Sequence, residues 1–294
     1  MEIREVLIVV KRSALERISS KRELDTKDAP IESLETGDRL HKEALHAVRR
    51  ALDERRIRYD VVQRAGLPRL RRIADSYDIV ITIGGDGTLL RSSHTVMRTP
   101  MLGVNSSPAN SVGMLCGASA ESISPVLDKV IKGVMKPVMI QRVQATIKER
   151  PLCPPALNEI LFAHRNPAST SRYILAYRGR REPQRSSGVW IATAAGSTAA
   201  IHSAGGRVLP IRSKKLQFVV RELYPLNNPA CTPGGIINPD EHLEIQSTTI
   251  DGAVYVDGQP TEYHIPFGTS VFFSLSPHSL PLIGYNREQR KRFA

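Results

Sequence analysis

The stretch Asp78-Ile79-Val80-Ile81-Thr82-Ile83-Gly84-Gly85-Asp86-Gly87-Thr88 decides the fold. Its first half is a β-branched run typical of a buried strand, and a helix is predicted over 88–97. The glycines between them permit positive φ and leave no side chain in front of the backbone N–H groups. A helix N-terminus adds partial positive charge. A strand, a glycine turn and a helix in this order indicate a phosphate-binding edge of an open α/β sheet.

Two common glycine motifs are excluded at this turn. No Gly-Lys-Ser/Thr is present, as a Walker A loop requires, and Leu90 stands where a third Rossmann glycine is needed. The unusual member is Asp86, because a carboxylate repels phosphate. It would accept a proton from an attacking hydroxyl or hold a metal ion. The alternative is that Asp86 caps the helix that begins near Thr88, and Thr88 itself either contacts a phosphate or caps that helix.

The chain before residue 135 alternates between strands and helices. We predict strands over 5–10, 59–62 and 101–104, and helices over 38–57, 68–74 and 120–131, with Asp38 as an N-cap. Residues 11–37 are polar and indicate a long mobile connection. This alternation predicts an α/β N-terminal domain with a mostly parallel sheet.

After Gly133 the pattern changes to short strands separated by Pro, Gly, Asn and Asp. We predict strands over 138–147, 160–163, 173–177, 189–192, 216–220, 244–245 and 254–256. These predict an all-β, antiparallel, sandwich-like C-terminal domain. The expected division is 1–135 for the α/β domain and 136–270 for the β-rich domain, while 271–294 returns to the N-terminal domain.

The composition restricts the partners. The 294 residues carry a net charge of +12, which suits anionic ligands, but aromatic residues make up only 5% and do not interleave with basic ones. We therefore expect no nucleic acid partner. No apolar run approaches the roughly 20 residues of a membrane span, so no membrane association is expected. Three scattered cysteines indicate neither a zinc site nor a disulfide framework.

Three blocks of the sequence together resemble the NAD kinase family. The Gly84–Thr88 turn alone is shared with diacylglycerol and sphingosine kinases. Leu157-Asn158-Glu159-Ile160 and Thr193–Ala200 are similar to two further family motifs and occur in the family's order. The plant-type NADH kinase subgroup is resembled most closely, through the segments 185–188, 203–206 and 216–222.

The resemblance implies transfer of the γ-phosphoryl group of ATP, with Mg²⁺, to the 2′-hydroxyl of the adenosine ribose of NAD or NADH. Asp86 would be the catalytic residue, and Mg²⁺ would be held mainly by the nucleotide phosphates, with no protein metal site. The implied nucleotide- and substrate-binding residues are Gly84, Gly85, Gly87, Thr88, Arg91, Asn158, Glu159, Arg185, Ser187, Thr198, Ala199, Ser203 and Gln259.

Several alternatives stay open at this point. Arg91 is equally well explained as a solvated helix residue, and Asp257-Gly258 as a β-turn. Ser187 and Ala200 replace the Asp and Tyr of many family members, which motivates a preference for NADH over NAD⁺. A lipid kinase and a non-catalytic dinucleotide- or nucleic-acid-binding protein are the competing functions, and polyphosphate is an alternative donor. We expect a cytoplasmic homodimer or higher homo-oligomer.

Overall fold

A seven-stranded sheet forms the centre of the first of two structural units, which comprises the described residues within 2–139 and 280–285. The structure is a computed structural model that describes residues 2–21, 31–70, 73–109, 111–224 and 231–285. The strands of the first unit are β1 (Glu5–Val10), β2 (Arg58–Gln63), β3 (Ile79–Gly84), β4 (Met101–Asn105), β5 (Cys116–Ser119), β6 (Val138–Ile140) and a last strand, Leu280–Ile283. They lie in the order β2-β1-β3-β4, then the last strand, then β6, with β5 also paired to β4.

Among the described residues of this unit, four α-helices accompany the sheet: α1 (Ala14–Lys21), α2 (Ile31–Asp53), α3 (Asp86–Ser93) and α4 (Ile123–Ile131). The apolar stripe of α2, which includes Val48 and Leu52, is fully buried in one cluster with Ile8 and Ile81 of the sheet and Leu127 of α4. Since β1 to β4 pair in parallel, their carboxyl ends meet at one edge. The Gly84–Thr88 turn lies at that edge.

The mobile connection expected over 11–37 is wrong for its described parts. Residues 14–21 are helical and α2 already begins at Ile31, while 22–30 lie outside the described residues. Ser13 and Glu16 form a reciprocal capping box, because the Glu16 N–H donates to Ser13 Oγ and the Ser13 N–H to Glu16 Oε2. Asp38 is not an N-cap but lies inside α2, where it pairs with Lys42 at 2.8 Å.

Other helix bounds also shift. The helix predicted over 88–97 runs from Asp86 to Ser93, and the one predicted over 120–131 begins at Ile123. Over 68–74 the structure has two short 3₁₀ helices instead, Leu67–Leu70 and Ala74–Ser76, with residues 71–72 outside the described part.

The second unit, residues 140–279 as far as they are described, contains two six-stranded sheets. Its strands are β7 (Val143–Ile147), β8 (Arg150–Pro151), β9 (Glu159–His164), β10 (Ser171–Tyr177), β11 (Arg180–Ser186), β12 (Val189–Ala192), β13 (Leu216–Val220), β14 (Gly234–Ile237), β15 (His242–Ser247), β16 (Gly252–Val256), β17 (Glu262–Ile265) and β18 (Ser270–Leu275), so that Leu280–Ile283 is β19. The sheet orders are β11-β10-β15-β18-β7-β8 and β14-β13-β12-β9-β16-β17. Every pairing within them is antiparallel.

The two sheets of this unit share one apolar core. Phe162 of β9 and Tyr173 of β10 belong to different sheets, and their rings meet edge to face with centroids 5.6 Å apart. The single strand predicted over 138–147 is wrong. It breaks between Ile140 and Val143 into β6 and β7, which belong to different sheets. The predicted fold class, a mostly parallel α/β part followed by an antiparallel sandwich, is confirmed.

Candidate functional site

The glycine turn is closely packed. Gly84 has φ of +149°, and a Cβ added there would overlap Thr88 Oγ1, while one added to Gly85 would lie 2.6 Å from Ser111 Oγ. Thr88 is buried and its N–H donates to the Gly85 carbonyl at 2.9 Å. Gly87 is exposed, with nothing within 4 Å of an added Cβ. The turn therefore requires glycine at Gly84, where φ is positive and Thr88 leaves no room, while a side chain at Gly85 would have to displace the Ser111 hydroxyl and Gly87 leaves an open approach to the backbone.

Asp86 does not cap the helix. Gly85 is the N-cap residue of α3, and the Asp86 carboxylate is turned toward another segment. Its Oδ2 accepts the N–H of Met114 at 2.8 Å and its Oδ1 accepts the N–H of Leu115 at 2.7 Å. Two donors fix the plane of the carboxylate, and Oδ2 retains a second lone pair for a further donor. The half-buried Asp86 is thus oriented and can still accept a hydrogen bond from a further donor.

Cys116 follows these two donors. Its Sγ lies 3.8 Å from Asp86 Oδ1 and 4.0 Å from the Gly84 carbonyl oxygen. Burial, together with the Asp86 charge, raises the pKa of the Cys116 thiol far above its usual value. Cys116 is therefore a neutral thiol beside the carboxylate.

In the second unit a single carboxylate organises the start of β9. Asp257 accepts the backbone N–H groups of Leu157 at 2.9 Å, Asn158 at 2.8 Å and Glu159 at 3.2 Å. Asp257 and Gly258 both have positive φ, 47° and 63°, as the centre of a type I′ turn requires. The Asp-Gly step is therefore a β-turn and also the anchor of the Asn-Glu pair.

The segment after β12 packs onto the same backbone. The Thr193 N–H donates to the Asn158 carbonyl at 2.9 Å, and Thr193 Oγ1 donates to the Leu157 carbonyl at 2.6 Å. A Cβ added to Gly196 would overlap the Asn158 carbonyl oxygen. The structure thus brings two of the three motifs, around Asn158 and Gly196, into direct contact.

Glu159 is the most perturbed carboxyl of this cluster. It is only 6% exposed, and its Oε2 has no hydrogen-bond partner among the described residues. Burial, and secondarily the charge of Asp257, raises the pKa of Glu159 to about 8. Near neutral pH this carboxyl is largely protonated, so it can donate a hydrogen bond as well as accept one.

The remaining predicted residues are spread around this cluster. Gln259 Nε2 donates to the Asp257 carbonyl at 3.1 Å. Thr198 ends a 3₁₀ helix, Ala199 links it to the short helix α5 (Ala200–Ser203), and Ser203 is exposed at the end of α5.

Arg185 and Ser187 lie at the end of β11. Arg185 is exposed, and the half-buried Ser187 donates its N–H to the Arg221 carbonyl at 3.0 Å. Within the described chain neither is hydrogen-bonded to Asn158, Glu159 or Gln259. In the first unit, the predicted phosphate-binding residue Arg91 is half-buried on α3.

Two further structural observations concern metals and membranes. In the part of the chain that the structure describes, no group of three or more histidine, cysteine, aspartate or glutamate side chains is placed to hold a metal ion. None of the described helices combines the length and apolar character that crossing a membrane requires.

Comparison with known proteins agrees with these motifs. The family model described as the ATP-NAD kinase N-terminal domain matches residues 6–135. A probable NADH kinase of Oryza sativa subsp. japonica is 35% identical over 268 residues, which are 83% of this chain and 82% of the relative. The chain belongs to the NAD kinase family. The NADH kinase of Arabidopsis thaliana is 32% identical over 83% of both chains, so the resemblance to the plant subgroup is confirmed.

Solved structures share the fold of this NAD kinase family member. An NAD kinase from Archaeoglobus fulgidus in complex with ATP superposes with a TM-score of 0.69 at 21% identity, covering 98% of this chain and 96% of that one. A yeast NADH kinase complexed with NADH gives 0.74 at 15% identity, covering 100% and 87%.

The groups that orient the predicted residues are not recognisable in the sequence. The donors to Asp86 are backbone N–H groups of Met114 and Leu115, whose side chains carry no signal. The Asp257-Gly258 step predicts a β-turn, and a carboxylate at such a turn can also accept backbone N–H groups of a neighbouring segment.

Proposed function

We propose that this protein transfers the γ-phosphoryl group of ATP to the 2′-hydroxyl of the adenosine ribose of NAD(H), giving NADP(H), with NADH as the preferred acceptor. The observation that carries the proposal is the oriented carboxylate of Asp86 inside a glycine turn built for phosphate. Kinship with proteins named NADH kinases supports the acceptor.

Asp86 is the proposed general base. The ribose hydroxyl donates its proton toward a free lone pair of the carboxylate, and its oxygen forms a bond to the γ-phosphorus as the bond from that phosphorus to the β–γ bridging oxygen breaks. Met114 and Leu115 keep the carboxylate oriented throughout. The backbone N–H groups around Gly84, Gly85 and Gly87, with Thr88 and Arg91, receive phosphate oxygens in this proposal.

The dinucleotide is assigned to the second unit. Asn158 and Glu159 offer both donors and acceptors to ribose hydroxyls and the purine amine. Because a protonated Glu159 is neutral, it also places no negative charge near the phosphates of the substrate. The other residues proposed to contact the dinucleotide are Arg185, Ser187, Thr198, Ala199, Ser203 and Gln259.

Magnesium fits this chain as a partner of the nucleotide rather than of a protein cage. Mg²⁺ is commonly held by one or two carboxylates plus substrate phosphates. Here both oxygens of Asp86 already accept backbone N–H groups, and no acidic cluster surrounds it among the described residues. When bound, the ion would neutralise charge on the transferring phosphates. Cytoplasmic location and a homodimeric or larger assembly complete the proposal and stay predictions.

The experiment uses the full chain with ATP, Mg²⁺ and either NADH or NAD⁺, and the phosphorylated position is identified by ³¹P NMR. We expect a 2′-phosphate and a higher kcat/KM for NADH. Preference for NAD⁺ would contradict the acceptor assignment. Diacylglycerol and sphingosine in vesicles serve as control acceptors. Phosphorylation of either would favour the lipid kinase alternative, and ligand binding without turnover would favour the non-catalytic one.

A further inference from the structure

Three adjacent strands of the first unit end side by side. Val10 of β1 pairs with Gln63 of β2 and with Ile83 of β3. Lys11 follows Val10, Arg64 follows Gln63, and Gly84 follows Ile83. In addition, the Arg64 N–H donates to the Val10 carbonyl at 2.7 Å. Two cations therefore share the carboxyl edge of the sheet with the first glycine of the turn.

The Lys11 side chain runs along the glycine turn itself. Its Cδ lies 3.4 Å from the position that a Cβ on Gly84 would take. Arg91 follows on α3, which begins at Asp86 directly after the turn. We call Lys11, Arg64 and Arg91 the edge cations.

The edge cations lack acidic partners among the described residues, although all three are half-buried. By contrast, the partly buried Arg55, in the turn after α2, is paired with Asp128 at 2.8 Å. Burial lowers the pKa of Lys11, and repulsion by Arg64 and Arg17 lowers it further. Burial and repulsion by Arg91 likewise lower the pKa of Arg64. Grouping uncompensated cations opposes folding, so their placement is explained by an anion that binds there.

His41 anchors the backbone of Lys11. His41 of α2 is 8% exposed, and its Nε2 lies 2.9 Å from the Lys11 carbonyl oxygen. Its Nδ1 lies 3.2 Å from Ser106 Oγ, and the Ser106 N–H donates to the Gly84 carbonyl at 3.2 Å. Burial lowers the pKa of His41, so the neutral ring donates from Nε2 and accepts the Ser106 hydroxyl at Nδ1. One chain of contacts thus links Lys11 to the glycine turn.

We propose that Lys11 and Arg64, together with Arg91, bind the terminal phosphates of the donor nucleotide beside the glycine turn. The inference rests on the proposed kinase function and adds Lys11 and Arg64 to its substrate-binding residues. The shared ligand chemistry is a short phosphate chain, which the acceptor dinucleotide also contains. A triphosphate carries more negative charge than a dinucleotide's pyrophosphate, so it matches a group of uncompensated cations better.

Steady-state kinetics with Lys11→Gln and Arg64→Gln show whether the edge cations bind the phosphates of ATP or the pyrophosphate of the dinucleotide. Loss of one charge-assisted contact should raise KM for ATP about tenfold or more, while KM for NADH stays within about twofold. The matched control is Arg69→Gln, because Arg69 is exposed in the 3₁₀ helix that follows Arg64. It should leave both KM values unchanged. A rise in KM for NADH with unchanged KM for ATP would overturn the donor assignment.

A second measurement does not depend on turnover. Calorimetric titration of the full chain with inorganic tripolyphosphate should show binding that weakens about tenfold in Lys11→Gln and in Arg64→Gln and is unchanged in Arg69→Gln. Equal affinity of all four proteins would refute the edge cations as a phosphate site. If wild type binds tripolyphosphate but forms no NADP(H), the proposed function fails while the phosphate site stands. Circular dichroism melting confirms that each variant is folded.

Discussion

The buried carboxyl of Glu159 makes the stability of this protein depend on pH in a defined direction. Its pKa is about 8 in the folded chain against an ordinary 4.5. Between these values the folded protein binds more protons than the unfolded chain, so the free energy of unfolding decreases as pH rises. The slope is about 1.4 kcal/mol per pH unit, and the whole window corresponds to roughly 5 kcal/mol. The stabilisation associated with the protonated Glu159 carboxyl is complete below about pH 4.5 and is lost above about pH 8.

Glu159→Gln tests this directly, because glutamine has nearly the same shape and stays neutral. Urea unfolding of wild type and variant at several values from about pH 5 to about pH 9 gives the two free energies. We expect the free energy of unfolding of the variant, minus that of wild type, to increase by about 4 kcal/mol from the lowest to the highest pH of this range. The exposed Glu149 supplies the matched control Glu149→Gln, for which the difference should be flat. A flat difference for Glu159→Gln as well would refute the reasoning.

Two glycine substitutions test the contact between the Asn158 and Gly196 segments and the helical conformation at Gly37. Gly196→Ala places a Cβ against the Asn158 carbonyl, and we expect a loss of about 3 kcal/mol or more in urea unfolding together with weaker NADH binding. A loss below about 1 kcal/mol would contradict the contact between the two motifs. Gly37→Ala lies inside α2 with nothing within 4 Å of the new Cβ, and we expect a gain of about 0.5–1 kcal/mol in the same assay. A destabilised Gly37→Ala protein would argue against a helix at this position.

Local sequence patterns predicted the elements whose cause is local. The β-branched run before Gly84 predicts β3 because buried parallel strands select such residues. The helix at 14–21 also has a local cause, since Ser13 and Glu16 have the spacing of a capping box, although the polar composition of 11–37 indicates a connection. The break between β6 and β7 was not predictable, because it is set by which sheet each half joins.

The same distinction applies to the candidate site. Asp86 is conspicuous as an acid among glycines, and Asn158-Glu159 as a motif. The contacts that orient them depend on tertiary structure, since Met114 is 28 residues and Asp257 about a hundred residues away. Lys11 and Arg64 become neighbours only through the pairing register of β1 and β2, which joins residues about fifty positions apart and is not visible in local sequence patterns.

The proton-accepting role of Asp86 is tested most directly by the rate of NADPH formation from ATP and NADH in Asp86→Asn and wild type. Asparagine keeps the shape of the side chain and one acceptor oxygen but is a far weaker base. At saturating substrates we predict that kcat falls by a factor of about 10² to 10⁴ in a variant that melts as a folded protein. Turnover by Asp86→Asn equal to that of wild type would contradict it.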